Sequence, residues 1–247
     1  MSNPYESQRL VDEYLFFHYA TFAEAAGTLP VPQEAWGFPQ RVVRELLDAS
    51  APIHKALDVG CAVGASAFEL ARSIPQVTGI DFSSAFIHAA GELKKTGLLE
   101  AKVAFEGRRQ QAFTACVPEG VDRGRAEFET GDAMDLRADL GSFDVVLAAN
   151  LICRLPDPRR FLERLADLVV PGGQLLLATP FSWLPEFTPE SKWLGGREGA
   201  EPSFEILEDL LRPDFSLEFR KDLPFLIREH SRKFQYGISL GTRWRRR

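Results

Sequence analysis

Residues 56–71 read ALDVGCAVGASAFELA, an apolar run that turns through small residues into a helical pattern. Gly60 follows the apolar run and Gly64 precedes the helical pattern. Glycine tolerates a positive φ and carries no Cβ atom, so backbone N–H groups of such a turn can approach a ligand. The stretch predicts a strand, a tight turn at a nucleotide-like ligand, and a helix whose positive end faces that site.

Strand-like and helix-like segments alternate along the rest of the chain, which implies a mostly parallel sheet with right-handed crossovers. The last two strands have no helix between them and predict an antiparallel edge. The fold class is therefore α/β, a doubly wound, Rossmann-like sheet of seven strands with its ligand beyond the carboxyl ends. We expect strands at 55–60, 76–83, 126–136, 142–152, 171–181, 215–223 and 234–244, and helices through about residue 73 and over 84–96, 157–169 and 203–211.

Two regions lie outside this alternation. Residues 5–26 repeat apolar side chains at helical spacing and predict two amphipathic helices with a break near Thr21, and a further helix begins near Pro39. We expect residues 1–50 to form a helical cap on residues 51–247, a single globular ligand-binding domain. Residues 98–123 are polar and predict an irregular insertion.

Composition narrows the class of protein. The chain has 247 residues, 45% of them hydrophobic, and a net charge of -6, which argues against nucleic acid as a partner. No apolar run reaches the roughly 18–20 residues of a membrane span, and the polar first residues do not resemble a signal peptide, so we expect a cytoplasmic protein. Three scattered cysteines and four scattered histidines predict neither a disulfide framework nor a metal site.

The residues around the glycine turn favour one cofactor over another. A dinucleotide-binding turn reads G-x-G-x-x-G, and Gly60, Ala62 and Ala65 keep only the first glycine. Enzymes that use S-adenosylmethionine (SAM) carry the pattern acid-x-G-x-G-x-G. Asp58, Gly60 and Gly64 match that pattern, with Ala62 in place of the middle glycine.

Polar residues at later strand ends extend this resemblance. Asp81 ends the second strand, where its carboxylate can accept hydrogen bonds from ribose hydroxyls. Asp132 follows the third strand, near the expected adenine amino group, and Asn150 follows the fourth, beside the sulfonium. The set resembles class I SAM-dependent methyltransferases, and the resemblance implies a cofactor site of Asp58, Gly60, Cys61, Ala62, Gly64, Asp81, Phe82, Ser83, Asp132, Ala133, Asn150 and Leu151.

Four longer stretches resemble a narrower family, the methyltransferase of ovothiol biosynthesis. They are YESQRLVDEYLFFHYA (5–20), NLICRLPDPRRFLERL (150–165), TPFSWLPEFTPESKWLGG (179–196) and LPFLIREHSRKFQYGISLGTRWRR (223–246). The resemblance implies methyl transfer from SAM to the imidazole π nitrogen of 5-thiohistidine, which produces ovothiol A. In that family an iron-dependent part often precedes the methyltransferase. Because this sequence lacks it, we expect a separate upstream sulfoxide synthase and lyase to supply the substrate.

An amino-acid acceptor needs an arginine fork for its carboxylate and an acid for its ammonium group. The candidates are Arg154 and Arg228 for the carboxylate and Glu229 for the ammonium group. Tyr14 and His18 lie four residues apart and share one helix face, where they can hold the imidazole or accept its proton.

The remaining candidates are aromatic or polar. Asn150 can bind the other ring nitrogen or the thiolate, so the expected catalytic residues are Asn150, His18 and Tyr14. Trp183 and Trp193 are expected to exclude water or stack on the acceptor, and the substrate site also includes Tyr19 and Phe181.

Three alternatives remain open at this level. The protein can be a methyltransferase for another small acceptor, such as a quinone or another amine. It can also be a nicotinamide-dependent oxidoreductase on a similar sheet, although Asp58 and the shape of the turn count against this. A SAM-binding partner protein without turnover is the third.

Overall fold

The computed structural model describes residues 4–247. Its strands are β1 Lys55–Val59, β2 Gln76–Asp81, β3 Leu98–Glu106, β4 Arg109–Cys116, β5 Ala126–Thr130, β6 Phe143–Ala149, β7 Val169–Thr179, β8 Phe215–His230 and β9 Lys233–Arg246. Its α-helices are α1 Gln8–Tyr19, α2 Phe22–Ala26, α3 Phe38–Leu46, α4 Ala65–Leu70, α5 Ser84–Thr96, α6 Pro158–Leu168 and α7 Ser203–Leu211.

The main sheet has seven strands in the order β5-β2-β1-β6-β7-β9-β8. β5, β2, β1, β6 and β7 are parallel, and β9 runs antiparallel to both of its neighbours. The predicted doubly wound sheet with an antiparallel pair at one edge is confirmed. The strand order reverses between β1 and β6, so their carboxyl ends, Val59 and Ala149, flank the crevice where such sheets bind ligands.

Local sequence explains most element boundaries. The side chain of Thr21 caps α2 in a capping box with Glu24, which makes the predicted break in the N-terminal helical segment. Asp157 caps α6, with Pro158 in the first turn. Asn150 has a φ of 55° and ends β6, three residues short of the predicted strand.

Helices α1, α3 and α4 share one apolar core against the sheet. Phe16, Val42, Leu46 and Phe68 are each at most 2% exposed within that cluster. The expected division into a cap over 1–50 and a domain over 51–247 stays a prediction. No helix within residues 4–247 has the length and apolar character needed to cross a lipid bilayer.

The expectation of an irregular insertion over residues 98–123 is wrong, because most of this segment forms the antiparallel hairpin β3–β4. Ala101 and Val103 on β3, and Phe113 and Ala115 on β4, are buried, so burial alternates along each strand. The buried face packs on α1. Near the hairpin tip, the backbone N–H of Ser231 donates to the carbonyl of Phe105 at 3.1 Å. The β3–β4 hairpin and the β8–β9 turn therefore support α1 together.

Candidate active site

A cavity of about 730 Å³ opens at the carboxyl ends of β1, β2, β5 and β6 and continues beneath α1. Its volume lies within the roughly 300–1,000 Å³ typical of small-molecule sites. We call the part lined by residues after the strands the strand-end half. The helix half is lined by α1, the start of α3, and residues of β8 and β9: Leu10, Glu13, Tyr14, Phe17, His18, Phe38, Pro39, Phe225, Ile227 and Gln235.

The glycine turn supplies space at the strand-end half. Gly60 lines the cavity with a φ of 76°, and a Cβ atom there would lie 3.0 Å from Cδ1 of Leu151. Gly64 serves a different purpose, since a Cβ at that position would lie 2.8 Å from Cζ of Phe128. Gly60 therefore keeps the crevice open, whereas Gly64 lets α4 pack closely on the sheet.

The sequence predicted that backbone N–H groups of this turn could approach a ligand. The first three of them instead donate to other groups of the protein. Those of Gly60 and Cys61 donate to the carbonyl of Ile80 at 2.8 and 3.1 Å. That of Ala62 donates to Oδ2 of Asp81 at 2.9 Å. Since α4 has only six residues, we assign no ligand-binding role to its N-terminus.

Asp81 joins this turn to the end of its own strand. Its Oδ1 accepts the N–H of Ser83 at 2.9 Å, and its Oδ2 accepts that of Ala62. Burial raises the pKa of Asp81, and the two backbone N–H groups oppose that rise. An ionised carboxylate has about four acceptor sites, so Asp81 retains capacity for ligand hydroxyls.

Two further residues add chemistry to the strand-end half. Phe82 lines the cavity and is 62% exposed, which leaves a large apolar face for a ligand ring. Asp132 also lines it, and its Oδ1 accepts the N–H of Met134 at 2.8 Å. An apolar face and an acid at neighbouring strand ends suit a flat heterocycle that carries an amino group.

Asp58 lies behind the turn and does not line the cavity. The hydroxyl of Ser66 donates to its Oδ2 at 2.6 Å, and its Oδ1 has no hydrogen-bond partner within the described residues. Burial raises the pKa of Asp58 to about 7. Its contact with a ligand is indirect, because Ser66 is the member of the pair that lines the cavity.

The predicted cofactor residues divide into two groups. Cys61, Gly64 and Ser83 stand behind the lining together with Asp58. The Cys61 thiol is buried, and Ser83 caps α5 with its hydroxyl. The residues that line the cavity are Gly60, Ala62, Asp81, Phe82, Asp132, Ala133, Asn150 and Leu151.

Asn150 is held in place from two sides. Its backbone N–H donates to the carbonyl of Ala178 at 2.7 Å, and its side-chain Oδ1 accepts the hydroxyl of Ser239 at 2.6 Å. The second bond ties the end of β6 to β9. Because that bond engages the carboxamide oxygen, Asn150 is oriented to act toward a ligand as an N–H donor.

Tyr14 and His18 do share one face of α1, and both line the helix half. The ring centroid of Tyr14 lies 4.7 Å from that of Phe86 and 5.7 Å from that of His18. Burial raises the pKa of the Tyr14 phenol and lowers the pKa of His18 to about 3. Nδ1 of His18 has no hydrogen-bond partner within residues 4–247. At neutral pH the helix half therefore presents a protonated phenol and a neutral imidazole.

Charge in the cavity is predominantly negative. Of the described residues that line it, Arg154 is the one guanidinium or ammonium group, against the acids Glu13, Asp81, Asp132 and Glu186. Such a lining favours a cationic ligand. The described residues contain no group of three or more histidine, cysteine or acidic side chains placed to hold a metal ion.

Arg154 stands beside the strand-end half. One terminal nitrogen donates to the carbonyl oxygens of Ser182 at 2.9 Å and Cys153 at 3.0 Å. The guanidinium carbon lies 5.0 Å from the centroid of the Phe187 ring. These contacts fix the guanidinium group at the cavity without an acidic partner from the described residues.

Two charged residues predicted to bind the acceptor lie outside the cavity lining. Arg228 is 6% exposed, donates to Oε1 of Gln111 at 3.1 Å, and lies over the ring of Phe16. It therefore joins β8 to the β3–β4 hairpin and α1. Glu229 forms an exposed ion pair with Lys233. Alternation along β8 turns Arg228 away from the face on which Ile227 lines the cavity, and the register of β8 shifts between Arg228 and His230, next to Glu229.

Three predicted aromatic residues also pack elsewhere. The Tyr19 hydroxyl donates to the carbonyl of Val63 at 2.8 Å, and Trp183 is 8% exposed and donates to Oγ of Ser203. Phe181 packs against the same core cluster as Trp183. None of the three lines the cavity, and neither does Trp193, whose indole donates to the carbonyl of Thr188. Among the aromatic residues of the stretch 179–196, Phe187 is the one that lines the cavity.

The N-terminal segment reaches the cavity in a way that sequence reasoning missed. Tyr5 lines the cavity, and its carbonyl accepts the hydroxyl of Ser83 at 2.9 Å. The carboxylate of Glu6 accepts N–H groups of Ser84 and Ala85 at the start of α5. An acid there is favourable because the first N–H groups of a helix lack partners within the helix.

Comparison with known proteins agrees with this geometry. Residues 57–177 match a family model described as a methyltransferase domain. An uncharacterized methyltransferase of Mycobacterium tuberculosis is 31% identical over 136 residues, which cover 54% of this chain and 55% of that protein. A ubiquinone biosynthesis O-methyltransferase of Xanthomonas axonopodis is 31% identical over 126 residues, covering 51% of this chain and 42% of that protein. The chain thus spans about half the length of the curated relatives it matches.

Solved structures share the fold at low sequence identity. The N-methyltransferase NodS of Bradyrhizobium japonicum, in complex with S-adenosyl-L-homocysteine (SAH), has a TM-score of 0.57 at 16% identity, covering 96% of this chain and 98% of that one. The [4+2]-cyclase SpnF has a TM-score of 0.55 at 16% identity, covering 92% and 86%. Residues 57–177 are therefore similar in sequence to a methyltransferase domain, and the seven-stranded sheet has the fold of these solved structures.

Proposed function

We propose that this protein transfers a methyl group from SAM to the imidazole π nitrogen of 5-thiohistidine, producing ovothiol A. The observation that carries the proposal is the continuity of the cavity, which joins the strand-end half to a second chamber walled by the neutral rings of Tyr14 and His18. The four stretches that resemble the ovothiol methyltransferase support it further. Two of these, 5–20 and 223–246, contribute to the helix half.

The residues of the strand-end half fit the cofactor. Asp81 retains acceptor sites for the ribose hydroxyls, and Asp132 can accept from the adenine amino group. Phe82 offers its exposed ring to the adenine, and Gly60 leaves the space that a Cβ would fill. The acidic lining offsets the positive charge of a sulfonium.

Bound SAM would supply an activated methyl group: the lone pair of the unprotonated π nitrogen would form the N–C bond as the S–C bond breaks, its electron pair would stay on sulfur, and the methylated ring would release the proton of its other nitrogen. The protein's own contribution to such a reaction is alignment of the acceptor nitrogen, about 3 Å from the carbon that it attacks. No activated protein nucleophile is needed. We therefore assign Tyr14, His18 and Asn150 to orientation of the acceptor.

The protonation states of these residues define their roles. His18 is a weak base because burial lowers its pKa to about 3, so it holds the acceptor ring through a hydrogen bond and does not retain the proton. Tyr14 donates its phenolic hydrogen because burial raises its pKa. Asn150 donates from its amide to the thiolate or the other ring nitrogen, since Ser239 engages its oxygen. The released proton passes to water.

The last parts of the proposal are the partner of the acceptor carboxylate, the source of the acceptor and the cellular compartment. Arg154 is the lining cation and the proposed partner of the acceptor carboxylate. A sulfoxide synthase and a lyase acting upstream supply 5-thiohistidine. The three cysteines are all free thiols, which supports action in a reducing compartment such as the cytoplasm.

Incubation of the purified protein with SAM and 5-thiohistidine tests the proposal directly. We expect a product heavier by one methylene group, with equimolar SAH, and methylation at the π nitrogen by NMR. A quinol acceptor belongs in the same assay because one relative is a ubiquinone biosynthesis O-methyltransferase. Turnover of that acceptor and none of 5-thiohistidine would replace the proposed substrate, and SAH binding without turnover of either would leave only a cofactor-binding role.

A further inference from the structure

The helix half contains an acid that no sequence pattern pointed to. Glu13 lies on α1 next to Tyr14 and lines the cavity. Its nearest cation is Arg9, at 3.5 Å, whose side chain is 80% exposed and does not line the cavity. Ion pairs of this exposed kind contribute little, so the carboxylate is only weakly compensated.

The surroundings of Glu13 are mostly apolar. Phe17, Phe38, Phe225 and Ile227 line the same chamber, and the carboxamide of Gln235 adds a polar group. Burial raises the pKa of Glu13, and the nearby carboxylate of Glu229 adds to the rise, whereas Arg9 opposes it. A partly buried acid in such a wall is stabilised when a cation binds beside it.

Arg154, the one lining cation among the described residues, comes from a different part of the chain. Arg154 donates to the carbonyl of Ser182 and lies over the ring of Phe187, both in the loop after β7, whereas Glu13 lines the cavity from α1. Both charges act on the phenol of Tyr14, whose pKa Glu13 raises and Arg154 lowers. The cavity around Tyr14 thus contains charged groups of both signs.

A second polar group in the same chamber also lacks a partner. His18 is 7% exposed and lines the cavity, and its Nδ1 has no hydrogen-bond partner within the described residues. An unpaired buried nitrogen costs free energy unless a ligand satisfies it. An acid and an unpartnered imidazole in one aromatic chamber together suit a nitrogenous ligand.

We infer that Glu13 binds the ammonium group of the acceptor, so that this chamber selects acceptors carrying a basic amine. The inference rests on the proposed function, which makes the helix half of the cavity the site that binds the acceptor. It assigns the recognition of the amine to α1 and not to Glu229, which forms an ion pair with Lys233 outside the lining. An amino acid would then place its two charged ends on Glu13 and Arg154.

The test is ligand binding to the SAH-loaded protein, measured by calorimetry with matched amine and acid probes. The pairs are histamine with imidazolepropionate, and phenethylamine with phenylpropionate, so that neither ring type decides the result. We expect Glu13→Gln to weaken amine binding about tenfold or more, as loss of a charge-assisted hydrogen bond implies, and to change acid binding less than about twofold. Glu13→Lys should weaken the amines and strengthen the acids.

Glu34→Gln is the matched control, because it removes the same charge at an exposed site just before α3. It should leave both probe classes within about twofold of wild type. Equal losses for amines and acids in Glu13→Gln, unchanged amine affinity, or no amine binding by wild type would each overturn the inference. If amines bind through Glu13 but 5-thiohistidine is not methylated, the proposed function fails and the amine site stands.

Discussion

The carboxylate of Asp81 accepts the backbone N–H of Ala62 at 2.9 Å, so the end of β2 fixes the turn that follows β1. The same carboxylate accepts the N–H of Ser83, which begins the connection to α5. Two neighbouring strand ends are thereby locked together by one acid. The group proposed to bind the ribose thus also shapes the crevice that receives it.

Asp81→Asn tests this double role. An amide puts an N–H donor where one of two backbone N–H groups now finds an acceptor, and it removes a charge from the cavity. We expect SAH affinity to fall about 10- to 100-fold, the range for losing a charged hydrogen bond. Calorimetric titration measures it. Asp135→Asn, an exposed site, is the control, and an Asp81→Asn affinity within twofold of wild type would contradict the prediction.

Gly60→Ala, compared with a control, distinguishes two effects of an added Cβ atom: loss of space for a ligand in the crevice and strain in the backbone. Its Cβ would lie 3.0 Å from Cδ1 of Leu151 at a φ of 76°. Gly107→Ala is the matched control, since Gly107 has a φ of 56° and nothing lies within 4 Å of an added Cβ. Both variants should lose roughly 1–2 kcal/mol of unfolding free energy from the left-handed backbone. Only Gly60→Ala should also weaken SAH binding, by about tenfold or more; equal affinities would show that the missing Cβ serves the turn alone.

His18 and Asp58 should make opposite contributions to stability against pH. Burial lowers the pKa of His18 from 6.5 to about 3, so between these values the unfolded chain binds the extra proton and stability falls as pH falls. Burial raises the pKa of Asp58 from 3.8 to about 7, so in that window the folded chain binds the extra proton and stability falls as pH rises. The two effects largely cancel between about pH 4 and 6.5.

Single variants should reveal how each residue changes the dependence of the unfolding free energy on pH. Relative to wild type, His18→Gln should gain about 1.4 kcal/mol of unfolding free energy for each pH unit of acidification, and Asp58→Asn should lose a similar amount. Urea unfolding at pH 4.5, 5.5 and 6.5 measures the differences. Parallel pH profiles for wild type and His18→Gln would mean that the imidazole titrates normally in the folded protein.

Substitutions of Arg154 and Arg228 should have different effects on acceptor binding. Arg154→Met removes the lining cation, so the KM for 5-thiohistidine should rise about tenfold or more while that for SAM changes little. Arg228→Met should leave both KM values within about twofold. It should also leave the melting temperature little changed, because loss of the bond to Gln111 and of the contact with Phe16 is offset by removal of the buried Nε, which has no hydrogen-bond partner within the described residues. A selective rise in KM for Arg228→Met would return that residue to the acceptor site.

The fold was readable from sequence because strands, helices and their caps are local signals. The periodicity of residues 84–96 and the cap at Asp157 gave α5 and α6 with nearly the observed bounds. The β3–β4 hairpin was missed because its buried positions include small residues such as Ala101 and Ala115, which weaken the alternation. Alternation from Leu99 to Phe105 was the available signal.

The strand-end half was more predictable than the helix half for a related reason. Residues such as Gly60 and Asp81 follow directly from strand ends, which a parallel sheet brings to one edge. Arg228 and Trp183 depend on which way a side chain turns in a long strand or loop, and tertiary packing decides that. No sequence pattern singled out Glu13, and only the position of α1 over the cavity brings it into the lining.

The two halves of the cavity come from different stretches of the chain. Every residue of the helix half lies outside the matched range 57–177, whereas the strand-end residues from Gly60 to Leu151 lie within it. Under the proposed function, the sequence of the helix half can therefore vary while the strand-end residues proposed to bind SAM stay unchanged. Exchange of residues 5–46 and 223–240 between homologues is accordingly a rational route to chimeric enzymes with new acceptor preferences.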